Sequence, residues 1–159
     1  MTRSASDVLI VGGGPAGLTV AIALAEAGVD TALIGPHPTS DQRTTALLAS
    51  SVTALETLGV WASCAARAAP LRVLRIVDAT ARLIRAPEVA FSAAEIGLDA
   101  FGHNIENLHL IAALDARARE FAALTRIHDQ ARAVEIGRMG ASTFPGSRRY
   151  QTHAHHDSA

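Results

Sequence analysis

The feature that most restricts the fold of this chain is a glycine turn close to its amino end. Gly12, Gly14 and Gly17 follow the spacing G-x-G-x-x-G. Residues 8–11 before them are aliphatic and mostly β-branched, which is typical of a short strand buried on both faces. Between a strand and a helix, glycines at this spacing allow a tight turn, let the backbone approach a pyrophosphate, and let the helix pack closely on the strand. The turn therefore indicates a phosphate-binding site.

The residues after the turn complete a β–α–β unit. Leu18 to Ala27 is rich in alanine and leucine and predicts a helix, which Gly28 ends. Thr31 to Ile34 predicts a second strand, parallel to the first. Backbone N–H groups and the dipole at the helix start would hold the phosphates. The residues predicted to contact the cofactor here are Gly12, Gly13, Gly14, Pro15, Ala16 and Gly17.

One part of the nucleotide-binding pattern is missing. A carboxylate normally follows the second strand and accepts hydrogen bonds from the ribose, but Gly35 occupies that position. Asp41 could replace it if the loop folds back, or could be a solvated loop acid. Arg43 could donate hydrogen bonds to ribose or phosphate oxygens, or could be a surface arginine. The glycine spacing alone does not distinguish FAD from NAD(P).

Periodicity and turn residues divide the rest of the chain. The patterns predict helices over 44–58, 61–69 and 105–121. They also predict paired strands over 71–77 and 82–84, and a closing hairpin of 124–128 with 133–136. The predicted domain covers residues 1–138, and residues 139–159 lack periodicity and are expected to be irregular or disordered.

Composition favours one α/β domain and argues against several other classes of protein. Hydrophobic residues make up 49% and charged residues 18% of the chain, which suits a buried core. The net charge of -1 gives no electrostatic reason to expect nucleic-acid binding. Cys64, the one cysteine, excludes an internal disulfide and is expected to be a small buried hydrophobe. Because no signal peptide or membrane-length apolar run is visible, we expect a cytoplasmic protein.

The polar residues do not form a recognisable catalytic or metal-binding pattern. His153, His155, His156 and Asp157 could in principle bind a metal, but a disordered or artefactual end is the favoured interpretation. The remaining histidines and the acids Glu95, Asp99 and Glu106 have no spacing that indicates joint chemistry. We therefore assign no catalytic residue and no metal.

Several blocks of the chain resemble a known family. They are VLIVGGGPAGLTVAIALAEAG, ALIGP, QRTTALLASSVTALETLGVW, APLRVLRIVD and FGHNIENLHLIAAL. Together they resemble the FAD-dependent aromatic hydroxylases of ubiquinone biosynthesis, within the flavin monooxygenases that include p-hydroxybenzoate hydroxylase. The resemblance covers roughly residues 5–138 and implies that the glycine turn binds the FAD pyrophosphate and that Arg43 lies near its ribose and phosphate. It also implies that Asn107 lies on a helix facing the cofactor, with Leu108 where the family commonly has arginine.

The resemblance carries further expectations about activity. It implies a Rossmann-like FAD-binding domain, NAD(P)H as co-substrate, and a polyprenylated phenol or quinone precursor as substrate. It also allows peripheral association with the inner membrane or with a biosynthetic complex. The later blocks and the substrate domain of the family are missing, so we expect an N-terminal fragment that is inactive alone and exposes hydrophobic surface. A frameshift or truncation near residue 138 would explain this. The alternatives are a non-catalytic FAD-binding remnant and a fragment of an NAD(P)-binding Rossmann reductase.

Overall fold

A computed structural model of the chain describes residues 4–36, 41–137, 140–145 and 150–152. In these ranges the strands are, in chain order, β1 Ser4–Ser6, β2 Val8–Val11, β3 Thr31–Ile34, β4 Thr44–Leu48, β5 Ala69–Pro70, β6 Val73–Ile76, β7 Val89–Ser92, β8 Gly102–Glu106, β9 Leu124–Ile127, β10 Ala131–Gly137, β11 Gly140–Pro145 and β12 Tyr150–Thr152. The α-helices are α1 Pro15–Glu26, α2 Ala49–Thr57, α3 Trp61–Cys64 and α4 Asn107–Ala118. Two short 3₁₀ turns cover Ala65–Arg67 and Ala93–Ile96.

A parallel sheet with strand order β2–β3–β9 lies at the centre of the fold. Val8 pairs with Thr31, and Thr31 pairs in turn with Leu124. The predicted β–α–β unit is therefore confirmed, and Gly28 ends its helix with a φ of 80°. The predicted hairpin of 124–128 with 133–136 is wrong, because β9 adds to the parallel sheet and β10 pairs with β11.

The core lies between this sheet and the helices α1 and α4. Leu18 and Ile22 of α1 are fully buried, as are Leu110 and Leu114 of α4. Complete burial of one such aliphatic side chain stabilises the fold by roughly 1.5–3 kcal/mol. The helix predicted over 105–121 is confirmed, but it starts at Asn107 because the two residues before it pair within β8.

A second sheet contains residues from two of the predicted helices, so both predictions need correction. It has the antiparallel order β4–β8–β5. The helix predicted over 44–58 is wrong for its first five residues, which form β4, and right for α2. The helix predicted over 61–69 ends at Cys64, and β5 follows a 3₁₀ turn. Apolar residues at helical spacing did not reveal this sheet, because pairing with a distant strand overrides local preference. Gly102 permits the close pairing, since a Cβ there would lie 2.0 Å from the Leu47 carbonyl oxygen.

A two-stranded hairpin, the β6–β7 arm (residues 73–92), extends from this body. The predicted strand at 71–77 is confirmed as β6, but its partner is β7 and not residues 82–84. The Asp78 carboxylate accepts hydrogen bonds from the Thr80 and Ala86 backbone N–H groups, at 3.0 and 3.1 Å. These bonds close a long loop between the strands, so the return strand begins later than a tight turn would allow.

The region predicted to be an irregular tail contains strands where the structure describes it. Gly140–Pro145 forms β11, and Tyr150–Thr152 forms β12, which pairs in parallel with β1 at the amino end of the chain. The prediction is wrong for these nine residues. Pairing between opposite ends of a chain leaves no local periodicity, which is why the sequence did not reveal it. The domain boundary near residue 138 stays a prediction.

Candidate cofactor-binding site

The glycine turn joins the end of β2 to the start of α1. Gly12 has a φ of 120°, a conformation that side chains disfavour. Its N–H donates a 2.7 Å hydrogen bond to the Ile34 carbonyl at the end of β3. Gly17 lies directly over the turn, because a Cβ on it would come within 1.9 Å of the Gly12 carbonyl oxygen. These two glycines therefore set the shape of the turn and the distance between α1 and β2.

Gly14 has a different role from Gly17. It is exposed, has an ordinary φ of -78°, and no atom of the described residues lies within 4 Å of the position that a Cβ would take. The fold therefore tolerates a side chain here, and the space above Gly14 is open to a ligand.

Among the described residues, no side chain caps the amino end of α1, which suits this end to receive an anion. Gly14 is its N-cap and makes no side-chain capping bond, Pro15 takes the first position, and the first turn has no acidic residue. The first N–H groups of a helix lack partners within the helix and carry the positive end of its dipole. Ala16 is exposed at this end of α1, whereas Gly13 is buried beneath it. The residues of the turn thus fit the pyrophosphate of a dinucleotide.

Gly35, at the position of the missing acid, packs directly against the turn. A Cβ on Gly35 would lie 2.3 Å from the Gly13 nitrogen and 2.8 Å from its Cα. Both distances are far below van der Waals contact, and both involve backbone atoms that have little freedom to move. The residue is a glycine because the turn and the end of β3 touch. Any side chain here would displace the backbone of the glycine turn.

Asp41, Arg43, Thr45 and Asn107 form a polar network at the start of α4. The Asp41 carboxylate accepts hydrogen bonds from Nε and Nη2 of Arg43, at 2.8 and 2.7 Å, and from the Arg43 backbone N–H at 3.1 Å. It also accepts one from the Asn107 amide at 2.8 Å. Asn107 in turn accepts a bond from the Thr45 hydroxyl and donates its backbone N–H to the Arg43 carbonyl. The loop before β4 is thereby tied to the start of α4.

Burial and charge differ across this network. Asn107 is 7% exposed, whereas the side chain of Arg43 is 83% exposed. The Arg43 guanidinium, with help from Asn107, holds the pKa of the Asp41 carboxyl far below its usual range. The same carboxylate raises the pKa of Arg43. At neutral pH the pair is therefore fully ionised, and the arginine presents its charge to solvent.

The structure thus settles some of the open alternatives. Asp41 is neither a solvated acid nor free for a ligand, because it is bonded to Arg43 and Asn107. Thr45 was missed, since nothing in its sequence context distinguishes it from its neighbours. The contacts assigned to Arg43 and Asn107 with a cofactor stay predictions, as do those of the glycine turn.

The remaining candidates lie elsewhere. Cys64 is buried as expected, and burial raises the pKa of its thiol. Leu108 is about half exposed on the first turn of α4. The residues considered for a metal, His153, His155, His156 and Asp157, lie outside the described part of the chain. In the part that is described, no helix has the length and apolar character needed to cross a membrane.

Sequence comparison supports a flavin site. Residues 5–139 match the model of a family described as "FAD binding domain". A curated relative is the ubiquinone hydroxylase UbiL of Rhodospirillum rubrum, 33% identical over 127 residues. That alignment covers 76% of this chain and 28% of the relative, so the chain spans less than a third of the relative's length.

Structure comparison supports the same fold. The chain is similar to the p-nitrophenol 4-monooxygenase PnpA of Pseudomonas putida, with a TM-score of 0.72 and 16% identity over 96% of this chain and 40% of that one. It is also similar to the flavin-dependent monooxygenase PieE, solved with FAD and substrate, with a TM-score of 0.73 and 22% identity over 97% of this chain and 30% of that one. The expected α/β fold of p-hydroxybenzoate hydroxylase-like enzymes is therefore confirmed for the part of that fold that the chain covers.

Proposed function

Since the chain belongs to the FAD binding domain family, we propose that it is the cofactor-binding part of an FAD-dependent monooxygenase that hydroxylates an aromatic ring in ubiquinone biosynthesis. The observation that carries the proposal is the glycine turn. It places an uncapped helix end, open space over Gly14 and a tight Gly12–Gly17 contact together. These are the properties that a backbone needs in order to approach a pyrophosphate.

Different residues around the turn would hold different parts of FAD. The helix end at Pro15 and Ala16 would bind the pyrophosphate through backbone N–H groups. Arg43 would donate hydrogen bonds to ribose or phosphate oxygens, since most of its side chain faces solvent. Asn107, fixed by Asp41 and Thr45, would hold the start of α4 in position beside the cofactor.

Bound FAD would supply the redox and oxygen chemistry of ring hydroxylation, with NAD(P)H as the reductant. The residues of this chain would bind and orient the cofactor and are not assigned a catalytic step. The ubiquinone pathway is supported by the likeness to UbiL, and the substrate proposed with it is a polyprenylated phenol or quinone precursor. Association with the inner membrane surface or with a biosynthetic complex would suit so hydrophobic a substrate.

The test of the cofactor site is direct. The purified chain is reconstituted with excess FAD, passed through a desalting column, and examined for the two visible absorbance bands of oxidised flavin. Retained bands, together with quenching of flavin fluorescence on titration, are expected. A chain that stays colourless at all FAD concentrations would contradict the FAD site and favour a nicotinamide-binding fragment.

A second candidate function is a non-catalytic module that binds FAD. The observation favouring it is that the part of the fold shared with the matches, 28% of UbiL and 30% of PieE, contains the glycine turn to which cofactor binding is assigned. The assay that separates the two is phenol-stimulated NAD(P)H oxidation by the FAD-loaded chain, alone and with any co-purifying partner. We expect no stimulation from the chain alone. Phenol-dependent turnover by the chain alone would exclude the non-catalytic module.

A further inference from the structure

The part of this site where the ribose would bind lacks the negative charge that is usual there. A dinucleotide site of this kind ordinarily has a carboxylate at the end of the second strand, and Gly35 cannot carry one without moving the turn. The next acid after Gly35 along the chain is Asp41, six residues later. Whether Asp41 takes over the ribose contact depends on whether its oxygens are free.

The acceptor capacity of Asp41 is already used. A carboxylate offers about four acceptor positions, two on each oxygen. Oδ1 receives the backbone N–H and the Nε–H of Arg43, and Oδ2 receives Nη2 of Arg43 and the Asn107 amide. Four donors thus satisfy the carboxylate. A ribose hydroxyl could bind only by displacing one of them.

The donors of Arg43, in contrast, are not used up. A guanidinium has five N–H groups, and two of them bind Asp41. The other three make no hydrogen bond with the described residues, and the side chain is largely exposed. Both bonds to Asp41 involve the Nε edge, so the remaining donors lie on Nη1 and on the outer side of Nη2.

We propose that Asp41 is a positioning residue that fixes Arg43 for cofactor binding, and that it makes no contact with the ribose itself. This inference rests on the proposed FAD site. A free arginine side chain loses conformational entropy when it binds a ligand, and a guanidinium already held in one orientation loses less. The usual carboxylate at the ribose is therefore replaced by a positively charged donor whose orientation an acid controls.

The experiment is a double-mutant cycle read by FAD affinity. Asp41→Asn keeps the shape of the side chain but removes the charge and one acceptor oxygen, and Arg43→Met removes the donors. We expect Asp41→Asn to weaken FAD binding about tenfold, the size of one charge-assisted hydrogen bond. In the Arg43→Met background, Asp41→Asn should cause little further loss. The matched control is Glu88→Gln, which breaks the exposed Arg75–Glu88 pair on the β6–β7 arm and should leave FAD affinity unchanged.

Three outcomes would overturn the proposal. Equal loss on Asp41→Asn with and without Arg43 would mean that Asp41 contacts the ligand itself. Tighter binding would mean that Asp41 competes with the cofactor for Arg43. Unchanged affinity would mean that Arg43 needs no positioning.

A second readout does not depend on FAD. In the unliganded chain, the Nε–H of Arg43 should give a slowly exchanging NMR signal that Asp41→Asn abolishes. A rapidly exchanging signal in the wild-type chain would refute the positioning role. A wild-type chain that binds no FAD would instead contradict the proposed function, and the NMR signal would still decide whether Asp41 fixes Arg43.

Discussion

Two regions of the molecule are rich in apolar residues: the glycine turn with its helices, and the β6–β7 arm. They differ in whether these apolar side chains are buried. Around the turn, Leu18 and Leu114 are completely buried. On the arm, every residue of β6 is exposed, and Leu83 and Ile84 in its loop are 101% and 86% exposed. Hydrophobicity in the sequence is therefore not a measure of burial. What separates the two regions is whether the described chain supplies a second layer.

One face of the β6–β7 arm is apolar, and the described residues do not cover it. The register of β6 and β7 places Leu74 opposite Phe91 and Ile76 opposite Val89, all on the same side of the hairpin. Adjacent side chains on the other face include Arg75, which pairs with Glu88. A hairpin with one apolar face is typical of a sheet that buries that face against another layer. Much of the exposed hydrophobic surface expected from the sequence thus lies on this arm.

The largest expected effect comes from a matched pair of core and arm substitutions. Leu114→Ala removes a fully buried side chain and should lower the free energy of unfolding by about 2–5 kcal/mol. Leu74→Ala removes the same atoms from a side chain that is 55% exposed and should change it by less than about 0.5 kcal/mol. Chemical denaturation measures both. A large loss for Leu74→Ala would show that the arm face is covered in solution.

The second largest effect is expected from two substitutions in the glycine turn, one of which should affect stability and the other only FAD binding. Gly17→Ala drives a Cβ into the Gly12 carbonyl and should destabilise the fold by roughly 1–3 kcal/mol or more, with loss of FAD binding. Gly14→Ala places its Cβ in open space and should leave the melting temperature nearly unchanged while weakening FAD binding. If both variants lost stability equally, the space over Gly14 would not be open, and if Gly14→Ala left FAD affinity unchanged, that space would not be a ligand site.

A smaller effect is expected from restoring the usual acid. Gly35→Glu would place the carboxylate where related nucleotide sites have one, but its Cβ would collide with the Gly13 backbone. We expect weaker FAD binding and a loss of about 1–3 kcal/mol in stability. Gly35→Ala is the control for the collision alone. Tighter FAD binding by Gly35→Glu would show that the turn can move away and that the missing acid is a true deficiency.

The smallest effect concerns pH and compares one carboxylate from each region. Hydrogen bonds lower the pKa of Asp41 beside the site and of Asp78 on the arm below the ordinary value of 3.8. Each therefore adds stability that is complete above that value and is lost as the pH falls through the lowered pKa. The stability difference between wild type and Asp41→Asn should stay constant from neutral pH down to the ordinary value and shrink below it. Asp78→Asn should behave likewise, and a difference that grew in acid would refute both assignments.

The parts of the fold that followed from sequence are those with local signals. The β–α–β unit, the helix α4 and the strand β6 each lie within one continuous pattern of apolar residues. The errors have two causes. β4 and β9 were assigned wrongly or paired wrongly because their partners lie far away in the chain, and a short apolar run fits a helix or a strand equally well. β7 was placed too early because the loop closed by Asp78 delays the return strand.

The candidate site likewise has one part that local sequence predicted and one part that only the tertiary structure revealed. The sequence by itself determined the glycine turn, because backbone conformation and close approach require glycine at fixed spacings. Only the tertiary structure decided what surrounds it. Gly35 touches the turn because β3 pairs with β2, and Asp41 meets Asn107 because β4 pairs with β8. Both contacts depend on strand register, which no local pattern encodes.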